Sequence, residues 1–191
     1  MQTLTISETR DGEYPDLIGL AGHKGVGKTT LAHEIGGLWS EPSRGYEILS
    51  LAKPIKKMLE VIVPKLYIYE EKEKEIPGFP EGVTARHLMQ TLGTEWGRDM
   101  YPDIWLNFVE VEIFNIRQGW TDQHCYTEFP TQIIVDDIRF PNEARMIKRS
   151  GGEVWRLVRE GVNSKDGHSS EQGLDEELID KEIKLDENCM V

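Results

Sequence analysis

An α/β fold, with a mostly parallel sheet covered by helices on both faces, is predicted by three observations in this 191-residue chain. Five apolar runs of strand length recur along it: Leu17–Ala21, Tyr46–Leu51, Gln132–Asp137, Glu153–Val158 and, less sharply, Lys181–Leu185. Stretches with apolar residues at helical spacing separate them. Strands that alternate with helices need crossover connections, and those connections join parallel neighbours. The third observation is a glycine-rich turn, residues 22–29, set between the first run and the first helical stretch.

In chain order, residues 1–15 are polar and read as a loose arm or a short edge element. Leu17-Ile18-Gly19-Leu20-Ala21 feeds directly into Gly22-His23-Lys24-Gly25-Val26-Gly27-Lys28-Thr29, the pattern G-x-x-x-x-G-K-T. A strand leading in and a helix leading out are the context this phosphate-binding P-loop requires. Glycines let backbone N–H groups turn inward around an anion, and the helix N-terminus adds its positive end. The loop therefore nominates Gly22, Lys24, Gly25, Val26, Gly27, Lys28, Thr29 and Thr30 as the ATP-binding set. Lys28 is expected on the β- and γ-phosphates and the Thr29 hydroxyl on Mg²⁺. A glycine-rich turn without a ligand is the plainer alternative.

Helical stretches follow at Thr29–Leu38, Pro54–Val63, Ala85–Leu92, Asp103–Arg117 and Asn142–Ser150, the last running into Gly151-Gly152 as a stop. The charge-alternating Glu70–Glu75 and the Pro- and Gly-rich 77–82 read as a solvated loop, with a flap over an acceptor site as the functional alternative. Thr84 to Asp99 reads as a helix that stops at Gly93. Arg86 and Arg98 there are candidate phosphate clamps and Gln90 a candidate base reader, whereas Trp96 and Trp105 fit helix packing better than base stacking.

Ile133-Ile134-Val135-Asp136-Asp137-Ile138-Arg139 is an apolar strand ending in two carboxylates, as a Walker-B strand does. Asp136 and Asp137 should leave an ideal strand on opposite faces, so one of them is expected to face the metal; helix capping or pairing with basic neighbours is the competing role. Arg139, two residues on, is expected to reach a second phosphate or to form a structural salt bridge. Arg156 and Arg159 leave a strand toward a glycine- and serine-containing stretch, and both suit a lid that closes over transferring phosphates. His168 is either a phosphate contact or incidental, while Ser169 and Glu171 fit a helix cap.

Composition narrows the class. The chain has 34 acidic and 22 basic side chains, a net charge of −12, which argues against a nucleic-acid or membrane-surface binder. A small anion needs only local positive charge, available at Lys24, Lys28, Lys53, Lys56, Lys57, Arg86, Arg98, Arg139, Arg156 and Arg159. Two cysteines, Cys125 and Cys189, make neither a disulfide framework nor a metal-ligand pattern, so a reducing cytoplasm fits. No apolar stretch is long enough to span a bilayer. Nothing divides residues 1–191 by a linker, and a single domain is expected.

The combination GHKGVGKTT, the SLAKPIK segment at Ser50–Lys56, ARHLMQTLGTEWGRD, DDIRFPNEA and HSSE resembles the deoxynucleoside monophosphate kinases of tailed bacteriophages over nearly the whole chain after residue 15. That resemblance implies a three-layer P-loop fold with a five-stranded parallel sheet, an acceptor-binding lobe over roughly 53–117 and a lid over roughly 159–171. It implies ATP- and Mg²⁺-dependent conversion of deoxynucleoside monophosphates to diphosphates for DNA replication, in the host cytoplasm, by a homodimer. Lys28, Asp137, Arg139 and Arg159 become the catalytic set. Lys53, Arg86, Gln90, Arg98, Asp136 and Arg139 become the acceptor set, and Thr29, Asp136 and Asp137 the metal set. The attacking phosphate oxygen is already ionised at neutral pH, so no general base is needed. Two other readings stay open: a different small-molecule P-loop kinase, such as a phosphomevalonate-type enzyme, and a non-catalytic nucleotide-binding switch. No N-K-x-D guanine-reading motif supports the switch.

Overall fold

The computed structural model describes residues 2–5, 15–23, 25–39, 45–119, 131–159 and 174–185. Its strands are β1 (Gln2–Thr5), β2 (Leu17–Ala21), β3 (Gly45–Ser50), β4 (Thr131–Ile138), β5 (Glu153–Arg159) and β6 (Lys181–Leu185). They form one sheet in the order β1-β6-β5-β2-β4-β3, every neighbouring pair parallel. The five expected strands are all present. Gln2–Thr5 adds a sixth at the edge beside β6, the edge element allowed for in the polar arm.

The central strand β2 shows why the sheet is layered. Leu17, Ile18 and Leu20 are inaccessible to solvent, as a strand covered on both faces requires. Successive side chains alternate in direction. Ile18 and Leu20 join Val26, Leu31, Ala32 and Ile35, from the loop and helix α1 (Lys28–Trp39), with Ile134 of β4, Trp155 and Leu157 of β5 and Ile183 of β6. Gly19 points the other way, toward helix α6 (Pro141–Arg149), where a Cβ would lie 2.9 Å from the Ile147 side chain. Helices α1 and α6 thus cover opposite faces.

Packing divides the chain into two compact units, Met1–Ser50 with Glu110–Val191, and Leu51–Val109. The sheet, α1 and α6 belong to the first. The second is helical: α2 (Lys53–Leu59), α3 (Lys65–Tyr69), α4 (Ala85–Gln90), a π-helix over Thr91–Arg98, and the start of α5 (Ile104–Arg117). Its interior holds Ile55, Leu59, Val63, Ile68, Ile76, Ala85, Trp105 and Leu106. Helix α5 starts in this unit and ends beyond its boundary at Val109.

One expectation needs correction. The helix does not stop at Gly93 but continues, with a wider turn, to Arg98. Glycine is a poor helix former, but the Gly93 carbonyl accepts a buried hydrogen bond from Trp105 Nε1 at 2.8 Å, which compensates from outside the helix. The charged loop Glu70–Glu75 is held by a side-chain pair, Lys74 with Glu71 at 2.7 Å, and by backbone, Glu75 forming an isolated antiparallel β-bridge with Thr84. Among the described residues, no helix is long and apolar enough to cross a membrane.

Candidate active site

The P-loop opens with backbone that only glycine adopts without strain. Gly22, Gly25 and Gly27 all have positive φ, and a Cβ on Gly22 would also lie 2.8 Å from the Leu157 carbonyl oxygen. Val26 is buried and anchors the loop to the sheet core. Lys28 begins α1 and is 9% exposed, with its Nζ donating to the carbonyls of Gly22 at 2.6 Å and His23 at 3.0 Å. The ammonium therefore lies across the mouth of its own loop. Thr29 is exposed and Thr30 half-buried, while Lys24 lies outside the described residues.

Opposite the loop, β4 departs from ideal pleating. Gly19 of β2 is level with Val135, yet Ala21 is level with Ile138, so β4 carries one extra residue. Asp137 takes it up with φ of 70°, a left-handed conformation that aspartate tolerates better than most residues. This corrects the expectation that the two carboxylates diverge. Asp136 Oδ2 lies 3.5 Å from the Thr29 hydroxyl, and Asp137 Oδ1 lies 3.2 Å from Lys28 Nζ. The bulge, invisible to a strict period of two, brings both acids to consecutive P-loop residues.

Arg139 completes the group. Its Nε and Nη2 reach Asp137 Oδ2 at 2.8 and 2.7 Å, so one carboxylate holds a lysine on one oxygen and an arginine fork on the other. Burial raises the Asp137 pKa, but the Arg139 and Lys28 cations outweigh it and hold the group below the usual aspartate value. Asp137 is thus a carboxylate at neutral pH, and it offsets the repulsion between two cations that must stand close together. The Arg139 backbone is fixed in turn by Glu143, 1% exposed, whose Oε2 accepts from the N–H of Arg139 at 2.7 Å and of Phe140 at 3.0 Å. The sequence reading missed Glu143, although a glutamate at the third helical position behind an N-terminal proline is a capping signal.

The remaining nominated residues separate. Arg156 is committed to structure: it pairs with Glu176 and Glu182, both at 2.6 Å. Arg159 ends β5, half-buried; the rest of the expected lid, with His168, Ser169 and Glu171, lies outside the described residues, as do Cys125 and Cys189. Lys53, Arg86, Gln90 and Arg98 all belong to the second unit. Arg86 is bonded through Nε to Glu73 at 2.8 Å, an exposed pair that a phosphate could replace at small cost. Trp105 is buried, as expected of a packing residue, and Trp96 lies against it with ring centroids 6.3 Å apart.

Hydroxyl and carboxylate oxygens are the hard donors that Mg²⁺ takes, and Thr29 beside Asp136 supplies them; the 3.5 Å separation is long for a hydrogen bond. Among the described residues, no cluster of three His, Cys, Asp or Glu side chains could hold a metal without help.

A P-loop on a parallel sheet, faced by acids and an arginine at the carboxyl end of the neighbouring strand, defines a nucleotide-dependent phosphoryl-handling protein. Residues 63–189 match the deoxynucleotide monophosphate kinase family. The P-loop itself lies outside that stretch. A protein of Acanthamoeba polyphaga mimivirus, provisionally named a deoxynucleotide monophosphate kinase, is 33% identical over 163 residues, 83% of this chain and 81% of the viral protein. A solved dephospho-CoA kinase from Campylobacter jejuni aligns over 78% of this chain and 69% of its own, with 14% identity and a TM-score of 0.37. The chain belongs to the deoxynucleotide monophosphate kinase family and is a kinase of deoxynucleotide monophosphates.

Proposed function

We propose that the chain transfers the γ-phosphoryl group of ATP, bound with Mg²⁺, to the phosphate of a deoxynucleoside monophosphate, releasing ADP and the deoxynucleoside diphosphate. The observation that carries this reading is the chain Lys28–Asp137–Arg139, a P-loop cation linked through one carboxylate to a guanidinium. Transfer between two polyanions demands charge neutralisation and alignment above all.

In this reading Lys28 leaves the Gly22 and His23 carbonyls for the β- and γ-phosphate oxygens, keeping Asp137 as its anchor. Thr29 and Asp136 would hold Mg²⁺, which when bound neutralises phosphate charge. Asp137 holds the Arg139 guanidinium, a planar fork that stays charged at any working pH and suits phosphate oxygens. Arg86, Gln90 and Arg98 supply the acceptor's contacts, with Glu73 occupying Arg86 until a monophosphate arrives. In the same reading Lys53 joins the acceptor's contacts and Arg159 takes part in the transfer step. The cysteine pattern supports a reducing, cytoplasmic setting.

The test is Lys28→Ala in a coupled ADP-release assay with each deoxynucleoside monophosphate. Turnover should be lost while the far-ultraviolet circular dichroism stays native. Near-normal rates would remove the P-loop from the chemistry.

A further inference from the structure

The π-helix Thr91–Arg98 is unexplained by the chemistry above. Such turns are rare and recur at functional sites, because something other than the helix must hold them open. Here the holder is one side chain. Trp105, in the first turn of α5, donates its Nε1–H to the Gly93 carbonyl at 2.8 Å. Its ring also lies so close to Gly97 that a Cβ there would come within 2.6 Å of it. Gly93 and Gly97 are the two buried residues of the π-helix, and the indole meets the helix at both. Closing turns i→i+5 rather than i→i+4 adds most of a residue to each turn. Over eight residues this rotates the direction of Arg98 relative to Gln90 by roughly a third of a circle from its place on an α-helix.

We propose that Trp105 is a positioning residue: through its donor on Gly93 and its ring on Gly97 it holds the π-helical register, sets the direction in which Arg98 leaves the helix, and thereby sets affinity for the acceptor monophosphate. The inference rests on the reading of Gln90 and Arg98 as acceptor contacts. A purely architectural tryptophan would affect stability and leave the kinetics of the folded enzyme alone.

The experiment is a double-mutant cycle on the full chain with Trp105→Phe and Arg98→Ala, reading KM for the deoxynucleoside monophosphate, KM for ATP and kcat. Trp105→Phe keeps an aromatic ring but loses the donor. It should raise the acceptor KM about three- to tenfold, the effect of one lost hydrogen bond, with ATP KM and kcat changed less than about twofold. In the Arg98→Ala background the same change should have no further effect. If Arg98→Ala raises the acceptor KM while Trp105→Phe leaves it unchanged, or acts equally in both backgrounds, the inference fails and the acceptor reading stands. If Arg98→Ala leaves the acceptor KM unchanged, the acceptor reading fails and the inference goes with it. Should Trp105→Phe not fold, Gly97→Ala displaces the indole from the helix side and is judged by the same criteria.

Discussion

At the scale of single residues, the site turns on how one carboxylate is shared. Asp137 holds Lys28 and Arg139 on its two oxygens, so each cation's position depends on the other's partner. Arg139→Ala is expected to lower kcat about 10²- to 10³-fold, by analogy with deletion of one donor to a developing charge. ATP affinity should change much less, and single-turnover transfer measured beside equilibrium ATP binding separates the two. Lys28, Thr29, Asp136, Asp137 and Arg139 were all legible in the sequence, because a P-loop and an acid-tipped strand are local patterns. Their mutual contacts were not legible. They depend on the extra residue in β4 and the left-handed Asp137, and nothing in the residue pattern marks a bulge there. Arg86 was legible as a cation but not as the partner of Glu73, thirteen positions away across a loop.

At the scale of elements, the helix starts and stops carry the site's precision. Helix α6 begins two residues after Arg139, and Glu143 binds two N–H groups ahead of the helix from a buried position. Glu143→Ala leaves those donors without that acceptor and should cost about 2 kcal/mol, as lost bonds to a charged group do. The urea midpoint should fall at an unchanged m-value. The strands and most helices were readable from their apolar patterns, clearest at the centre of the sheet, where β2 and the middle of β4 are continuous apolar runs. The π-helix was not, because glycine at 93 is a stop signal unless a distant donor meets its carbonyl. That information sits at Trp105, twelve residues later.

At the scale of the whole molecule, the acid-rich composition and the paired carboxylates make stability depend on pH in a definite direction. Asp137 and Glu176 titrate below their ordinary values in the folded chain, each with an arginine as a lowering cause. The unfolded chain then binds more protons than the native one, so stability rises with pH through this range. The contribution is fully present above the unfolded carboxylate values, near 4, and is lost as pH falls through the lower native ones. Thermal midpoints should therefore drop on acidification below about pH 4.5, and Asp137→Asn should flatten part of that slope. A slope unaffected by the substitution would remove Asp137 from the acid-sensitive set. The left-handed backbone at this same position also governs what replacement chemistry can explore. Codon randomisation at 137 meets a conformational filter before an electrostatic one: asparagine and glycine fit the torsion, whereas β-branched residues distort the ribbon. Asparagine can take the torsion but leaves Lys28 and Arg139 without their shared carboxylate, and β-branched bulk cannot be added, so the set of replacements that site accepts is short.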